Sequence, residues 1–269
     1  MTAPSLVLLG YGSSDPRVSQ VSQQLRDELL AIRPELDVHV GFLEQGGPSG
    51  MASINRLVGQ GVTEIVLAPL LLSEAFGAPA AVSALTAQAA AAHPGLRITA
   101  ARPIGPEVHL LSILDARLRE ALRTRRVCEL DALVFAAAGS HDVRSNALVA
   151  RRARQWATHH KLPHVVSFAG GSGPSTAEAI RTLRAQGRRH IAVGSWFLAP
   201  GLLWTHQAEI AYAAGAVAVS DPMGGEAEIA EVVLTRYVVA AMDLVEVDEP
   251  FELTDFEPAP LRHLSVVSA

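Results

Sequence analysis

The chain repeats itself. Gly12-Ser13-Ser14-Asp15-Pro16-Arg17 returns as Gly139-Ser140-His141-Asp142-Val143-Arg144, and Gly47-Pro48-Ser49 as Gly173-Pro174-Ser175. Gln60-Gly61 returns as Gln186-Gly187, and Pro103-Ile104-Gly105 as Pro222-Met223-Gly224. The order never changes, and the offset runs from about 127 residues at the first pair to about 119 at the last. Such a period is too long for a solenoid unit and suits two similar α/β lobes. Two lobes define a cleft between them, where a ligand is to be sought.

Within each half, short apolar runs alternate with amphipathic stretches. The runs are Leu6–Leu9, Val38–Phe42, Ile65–Ala68 and Ile98–Ala100, then Ala132–Ala137, Val165–Phe168, Ile191–Val193 and Ala216–Val219. Short and nearly all apolar, they have the character of parallel strands covered on both faces. Val18–Ile32 sets Val18, Val21, Leu25, Leu29 and Leu30 close to a 3.6-residue period, and Pro34 stops it. Ser49–Gly59 and Ser175–Ala185 each open on Ser, a favoured N-cap. Pro106–Leu122 and Gly225–Tyr237 end the two halves. The fold class expected is α/β, with two similar lobes, each a parallel sheet flanked by helices, and a cleft between them. The lobes are expected at 1–124 and 131–240, with Arg123–Leu130 as their junction, followed by an acidic tail over 243–269.

Composition narrows the function classes. With 49% hydrophobic and 18% charged residues the chain reads as a well-packed soluble protein, and its net charge of −5 argues against a broad nucleic-acid surface. Cys128 is the sole cysteine, which excludes a disulfide framework and a thiolate metal cluster. No apolar run has the length of a membrane span, and the chain enters its first strand-like run without a basic leader, so a cytoplasmic location and no membrane partner are expected.

In open α/β sheets ligands bind beyond the carboxyl ends of the strands. That rule selects the loops Gly10–Arg17, Glu44–Ser49, Leu72–Pro79 and Arg102–Pro106, and in the second half Ala138–Arg144, Gly170–Ser175, Ala199–His206 and Asp221–Gly225. Gly10-Tyr11-Gly12-Ser13-Ser14 lacks the lysine and spacing of a Walker loop and the dinucleotide fingerprint, so no organic cofactor is expected.

A strand followed by Gly10-Tyr11-Gly12-Ser13-Ser14-Asp15-Pro16-Arg17, then Phe42-Leu43-Glu44 with Gly47-Pro48-Ser49, then Ala68-Pro69-Leu70-Leu71-Leu72, resembles the sirohydrochlorin chelatase family in its long, two-lobed form. The likeness spans residues 5 to about 238. It implies insertion of a divalent metal substrate, Co2+ or Fe2+, into a cyclic tetrapyrrole related to sirohydrochlorin, and it is compatible with a homo-oligomer. In that family one His precedes the first Gly-Ser, another lies in the loop after the third strand, and a Glu follows the second strand. Together these groups hold the metal and take the pyrrole protons, tasks suited to imidazole. Here the three positions are Tyr11, Gly77 and Glu44, so only the carboxylate is kept.

Three readings follow. In one, the chemistry has moved to His141 and His206, each three places after the position equivalent to Tyr11 or Gly77; they act as catalytic bases and, with Glu44, as metal ligands. In another, the first lobe keeps a modified site in which Tyr11, Ser13, Phe76 and Gly77 meet the macrocycle and Arg17 and Arg102 pair with its carboxylates. Trp196 and Trp204 are candidates for stacking on the ring, and His109 is a weaker third histidine. In the last, the chain is a non-catalytic relative that binds a tetrapyrrole, a metal or another partner.

Overall fold

The structure, a computed structural model, describes residues 3–73, 77–171 and 173–244. Phe76 and the acidic tail from residue 245 onward lie outside them. The described elements run β1 (Ser5–Gly10), α1 (Pro16–Ile32), β2 (Val38–Phe42), α2 (Gly50–Gly59), β3 (Glu64–Pro69), α3 (Ala78–Ala92), β4 (Arg97–Ala100) and α4 (Leu111–Thr124). The second half repeats the order as β5 (Ala132–Ala137), α5 (Val143–His160), β6 (His164–Phe168), α6 (Thr176–Ala185), β7 (Ile191–Trp196), α7 (Leu202–Ala213), β8 (Ala218–Val219) and α8 (Ala227–Met242).

The strands form two all-parallel sheets, ordered β2-β1-β3-β4 and β6-β5-β7-β8. The inner strands β1, β5 and β7 are buried along their whole length, which explains their unbroken apolar runs. The helices start where the sequence offers caps. Asp15 accepts from the Arg17 N–H and Asp142 from the N–H groups of Arg144 and Ser145. Ser49 caps α2, and Ser175 caps α6 in a capping box with Glu178. The helix expected from Pro106 begins only at Leu111, because the Leu111 and Ser112 N–H groups reach back three residues, to Val108 and His109, in a tight turn.

The last helices are exchanged between the halves. On the first sheet, α1 and α8 cover one face and α2 and α3 the other; on the second, α4 and α5 cover one face and α6 and α7 the other. Thus α4 packs on β7 and β8, and α8 on β3 and β4. The largest apolar cluster runs without a break from Leu6, Leu8, Leu25 and Leu29 through Ile113, Leu114, Ile229 and Val233 to Phe135, Trp156 and Trp196. Smaller clusters fill the two outer faces. The lobes therefore share one core.

Candidate functional site

In each sheet the chain reverses its winding between the two central strands. Helix α1, after β1, lies on the inner face, whereas α3, after β3, lies on the outer one; α5 and α7 do the same after β5 and β7. A crevice opens at each such switch point. Here the two crevices merge into one cavity of about 360 Å³ between the lobes. Its walls are Gly10–Ser13 after β1, Leu70–Ser73 after β3, Ala138 after β5 and the segments Trp196–Ala199 and Gly201–Trp204 after β7, with Val18, Val21 and Ser22 of α1.

The repeated Gly-Ser pairs build the walls with backbone. Gly12 sits at φ +99°, where a Cβ would come within 2.2 Å of the Gln45 carbonyl oxygen; its counterpart Gly139, at φ +84°, would meet the Gly170 oxygen at 2.0 Å. Only glycine permits both the left-handed turn and the contact. The Glu44 N–H donates to the Tyr11 carbonyl at 2.9 Å and, in the second copy, the Gly170 N–H to the Ala138 carbonyl at 3.0 Å. Ser13 Oγ accepts from the Asp15 N–H at 3.1 Å and Ser140 Oγ from the Asp142 N–H at 3.0 Å. The second copy thus keeps the scaffold, with glycine in place of the carboxylate.

The structure brings only some of the sequence candidates together. Tyr11 and Ser13 are half-buried and line the cavity. Glu44 is exposed just beyond the lining. Gly77 caps α3 at φ +71°, with nothing within 4 Å of where a side chain would begin. Arg17 lies at the mouth, its guanidinium forked onto Asp15 at 3.0 and 2.6 Å and reaching the Thr205 hydroxyl of the opposite lobe at 3.4 Å. The hydrogen bond from Arg17 holds the Asp15 carboxyl below the ordinary carboxylate range, and the same bond raises Arg17. Arg102, His141 and His206 are exposed, and none of the three lines the cavity. Among the described residues no three His, Cys, Asp or Glu side chains gather as a metal site.

Two expectations about aromatics separate here. Trp196 is only 1% exposed; it packs on Phe135 with centroids 5.2 Å apart and donates its indole N–H to the Leu72 carbonyl of the other lobe at 3.3 Å, so its ring is committed to the shared core. Trp204 is half-buried, with its N–H shared between Ser195 Oγ at 3.2 Å and the Ser220 carbonyl at 3.3 Å, which fixes the indole while it borders the cavity. Sequence reasoning also missed the aliphatic wall: Leu70, Leu71, Leu72, Val18, Leu198, Leu202 and Leu203. The available signal was Leu202-Leu203, leucines in the first turn of a helix at the ligand end of the sheet, now 62% and 36% exposed.

Two parallel sheets with crossed-over last helices and a cleft at paired switch points define a two-lobed, chelatase-like protein. The model of the CbiX family matches residues 5–121 and 132–240, and the chain belongs to that family. It is similar to SirB from Bacillus subtilis, solved with Fe3+, at 20% identity and a TM-score of 0.69, covering 90% of this chain and 97% of that one. The sirohydrochlorin chelatase SirB of Bacillus subtilis subspecies spizizenii, solved in complex with cobalt, gives 19% identity and a TM-score of 0.67 over 89% and 96% of the two chains. A CbiX described as the terminal enzyme of siroheme biosynthesis in denitrifying bacteria gives 19% and 0.60 over 88% and 99%. The sequence matches no curated protein. No described helix is long and apolar enough to cross a membrane.

Proposed function

We propose that this chain inserts a divalent metal ion, Co2+ or Fe2+, into a cyclic tetrapyrrole held in the cleft between its lobes. The observation that carries this reading is the position of the cavity, at the merged switch points of a CbiX-family fold, with Tyr11 on its wall. Insertion exchanges two pyrrole N–H protons for the metal ion, so the reaction needs a path for protons and an oxygen or nitrogen donor near the ring centre. Tyr11 is the single ionisable side chain among the described lining residues. Its hydroxyl both donates and accepts, and it passes the protons to solvent at the open mouth. Glu44, exposed beside Tyr11, captures the cation there and hands it inward. This mechanism gives no role to His141 or His206.

The same observation supports a second reading, binding without insertion, because no histidine or carboxylate stands on the described walls. Anaerobic mixing with a metal-free tetrapyrrole and Co2+ or Fe2+, followed by visible spectroscopy, separates the two. Conversion to the metallated spectrum, faster than the protein-free rate, supports insertion. A shift of the metal-free bands without conversion supports binding alone, and unchanged bands refute both.

A further inference from the structure

We infer that Trp204 is the fixed face against which the macrocycle is laid, and that Ser195, which does not reach the cavity, is a positioning residue acting through it. This deepens the tetrapyrrole reading and rests on it. A conjugated macrocycle presents two broad faces, and an indole is the largest flat apolar surface that a side chain can offer one of them. An unheld indole on a cavity wall rotates around its side-chain bonds, and ordering it subtracts from the gain on binding.

Trp204 is held. It stands in the first turn of α7, half-buried on the cavity wall of the lobe opposite Tyr11. Its indole N–H is shared between Ser195 Oγ at 3.2 Å and the Ser220 carbonyl at 3.3 Å. Ser195, 1% exposed at the end of β7, donates its hydroxyl to that same carbonyl at 2.6 Å and its N–H to Ser220 Oγ at 2.8 Å. The two buried serines thus form a closed pair whose two acceptors converge on one indole. A second buried chain fixes the same helix one turn further on. There Gln207 accepts from the Thr176 hydroxyl at 2.8 Å, and Thr176 Oγ1 lies 3.0 Å from Ser167 Oγ.

The first copy of the repeat lacks these groups. Strand pairing sets Pro69 beside Leu9 in the first sheet where it sets Ser195 beside Ala136 in the second. Ala101 takes the place of Ser220; the N–H of each donates to the neighbouring strand, at the Leu67 and Val193 carbonyls. Gly41 beside Leu9 and Gly50 at the head of α2 match Ser167 beside Ala136 and Thr176 at the head of α6. The two glycines are so close that a Cβ on Gly41 would come within 3.0 Å of the Gly50 Cα. The fold common to both copies therefore does not require the hydroxyls. Burying them costs desolvation unless they are bonded to one another. Their effect is to hold one indole on the cavity wall. The first copy supplies Tyr11 and Glu44, and the second supplies the surface that orients the ring.

The test titrates the full chain with sirohydrochlorin in the absence of oxygen, following the visible bands. Trp204→Leu is expected to weaken binding roughly tenfold, and Ser195→Ala roughly three- to tenfold. In the Trp204→Leu background Ser195→Ala is expected to add nothing, because its effect passes through the indole. An equal loss from Ser195→Ala in both backgrounds overturns the positioning role. Unchanged binding by Trp204→Leu overturns the inference and leaves the tetrapyrrole reading standing, whereas no binding by the parent overturns both. A second measurement needs no change at the buried Ser195: fluorine NMR of the chain labelled with fluorotryptophan. The signal that Trp204→Leu removes is expected to move upfield when sirohydrochlorin binds, since a conjugated ring shields nuclei above its plane. A signal that stays in place while the ligand binds overturns the inference.

Discussion

Arg117 and Arg236 occupy the same position in the two copies of the repeat, and each bonds a glutamate at the head of the other copy's last helix. Arg117, on α4, meets Glu226 and the Met223 carbonyl beside the start of α8. Arg236, on α8, meets Glu107 and the Pro103 carbonyl beside the start of α4. The repeat is thus closed by reciprocal crossing, and each arginine clamps the exchange from its own side.

The two clamps are not equally buried. The Arg236 and Glu107 side chains are 15% and 29% exposed, against 36% and 40% for Arg117 and Glu226. Exposed ion pairs contribute about 0.2–1 kcal/mol, whereas stripping a partner from a more buried one costs more. Arg236→Ala is therefore expected to destabilise by roughly 1–3 kcal/mol in urea unfolding, and Arg117→Ala by less. Equal losses would contradict the ranking.

The crossing also sets how the chain must fold. A fragment ending near residue 124 carries α4 but lacks α8, which covers β3 and β4. Expressed alone, either half is expected to be aggregated or without a cooperative transition, while co-expressed halves recover one. A soluble, cooperatively melting first half would refute the shared core.

The loop that carries Tyr11 depends on Gly12. Gly12→Ala forces a Cβ into the Gln45 carbonyl at φ +99° and is expected to cost about 2 kcal/mol or more, and to weaken tetrapyrrole binding. At Gly187, also at positive φ (+84°) but with nothing within 4 Å, the same change costs only the backbone penalty, about 1 kcal/mol. Differential scanning calorimetry of the two variants reads the difference. Similar melting shifts would mean that Gly12 is not tightly enclosed.

Acid sensitivity has a named source in Asp115. Burial raises its carboxyl, but the hydrogen bond from Arg119 at 2.6 Å and the charge of His160, whose Nε2 lies 2.6 Å from Oδ1, outweigh burial and hold it below the ordinary carboxylate range. Because the folded value is the lower one, the stabilisation is complete above the unfolded value and fades as the pH falls through the folded one. Asp115→Asn is expected to melt earlier than the parent at pH 6, with the gap closing below about pH 4. A gap of the same size at pH 2.5 would remove Asp115 as the source.

What the sequence disclosed was what is written locally. Ser49 and Ser175 are caps that act within three residues, and apolar runs such as Ala132–Ala137 mark buried parallel strands on their own. The exchange of α4 and α8 was not visible, since nothing near Leu111 or Ala227 says which sheet the helix will meet. The candidate site was harder still. His141 and His206 stand exposed outside the cavity lining, as Glu44 does, and Trp196, a candidate for stacking on the ring, is buried against Phe135 with its N–H on the Leu72 carbonyl. Nothing singled out Leu70–Leu72 and Leu202-Leu203 as a cavity wall, because a leucine does not show in sequence whether it faces a core or a cleft.

The measurement that bears most directly on the whole account compares the parent chain with Tyr11→Phe in the anaerobic insertion assay. The expected result is metallation by the parent and a rate roughly a hundredfold lower or more in Tyr11→Phe, the range that loss of one proton-handling group produces, with the Soret shift on binding retained. Equal rates for the two would contradict the role of Tyr11, and no metallation by the parent, with binding intact, would contradict the chelatase reading itself.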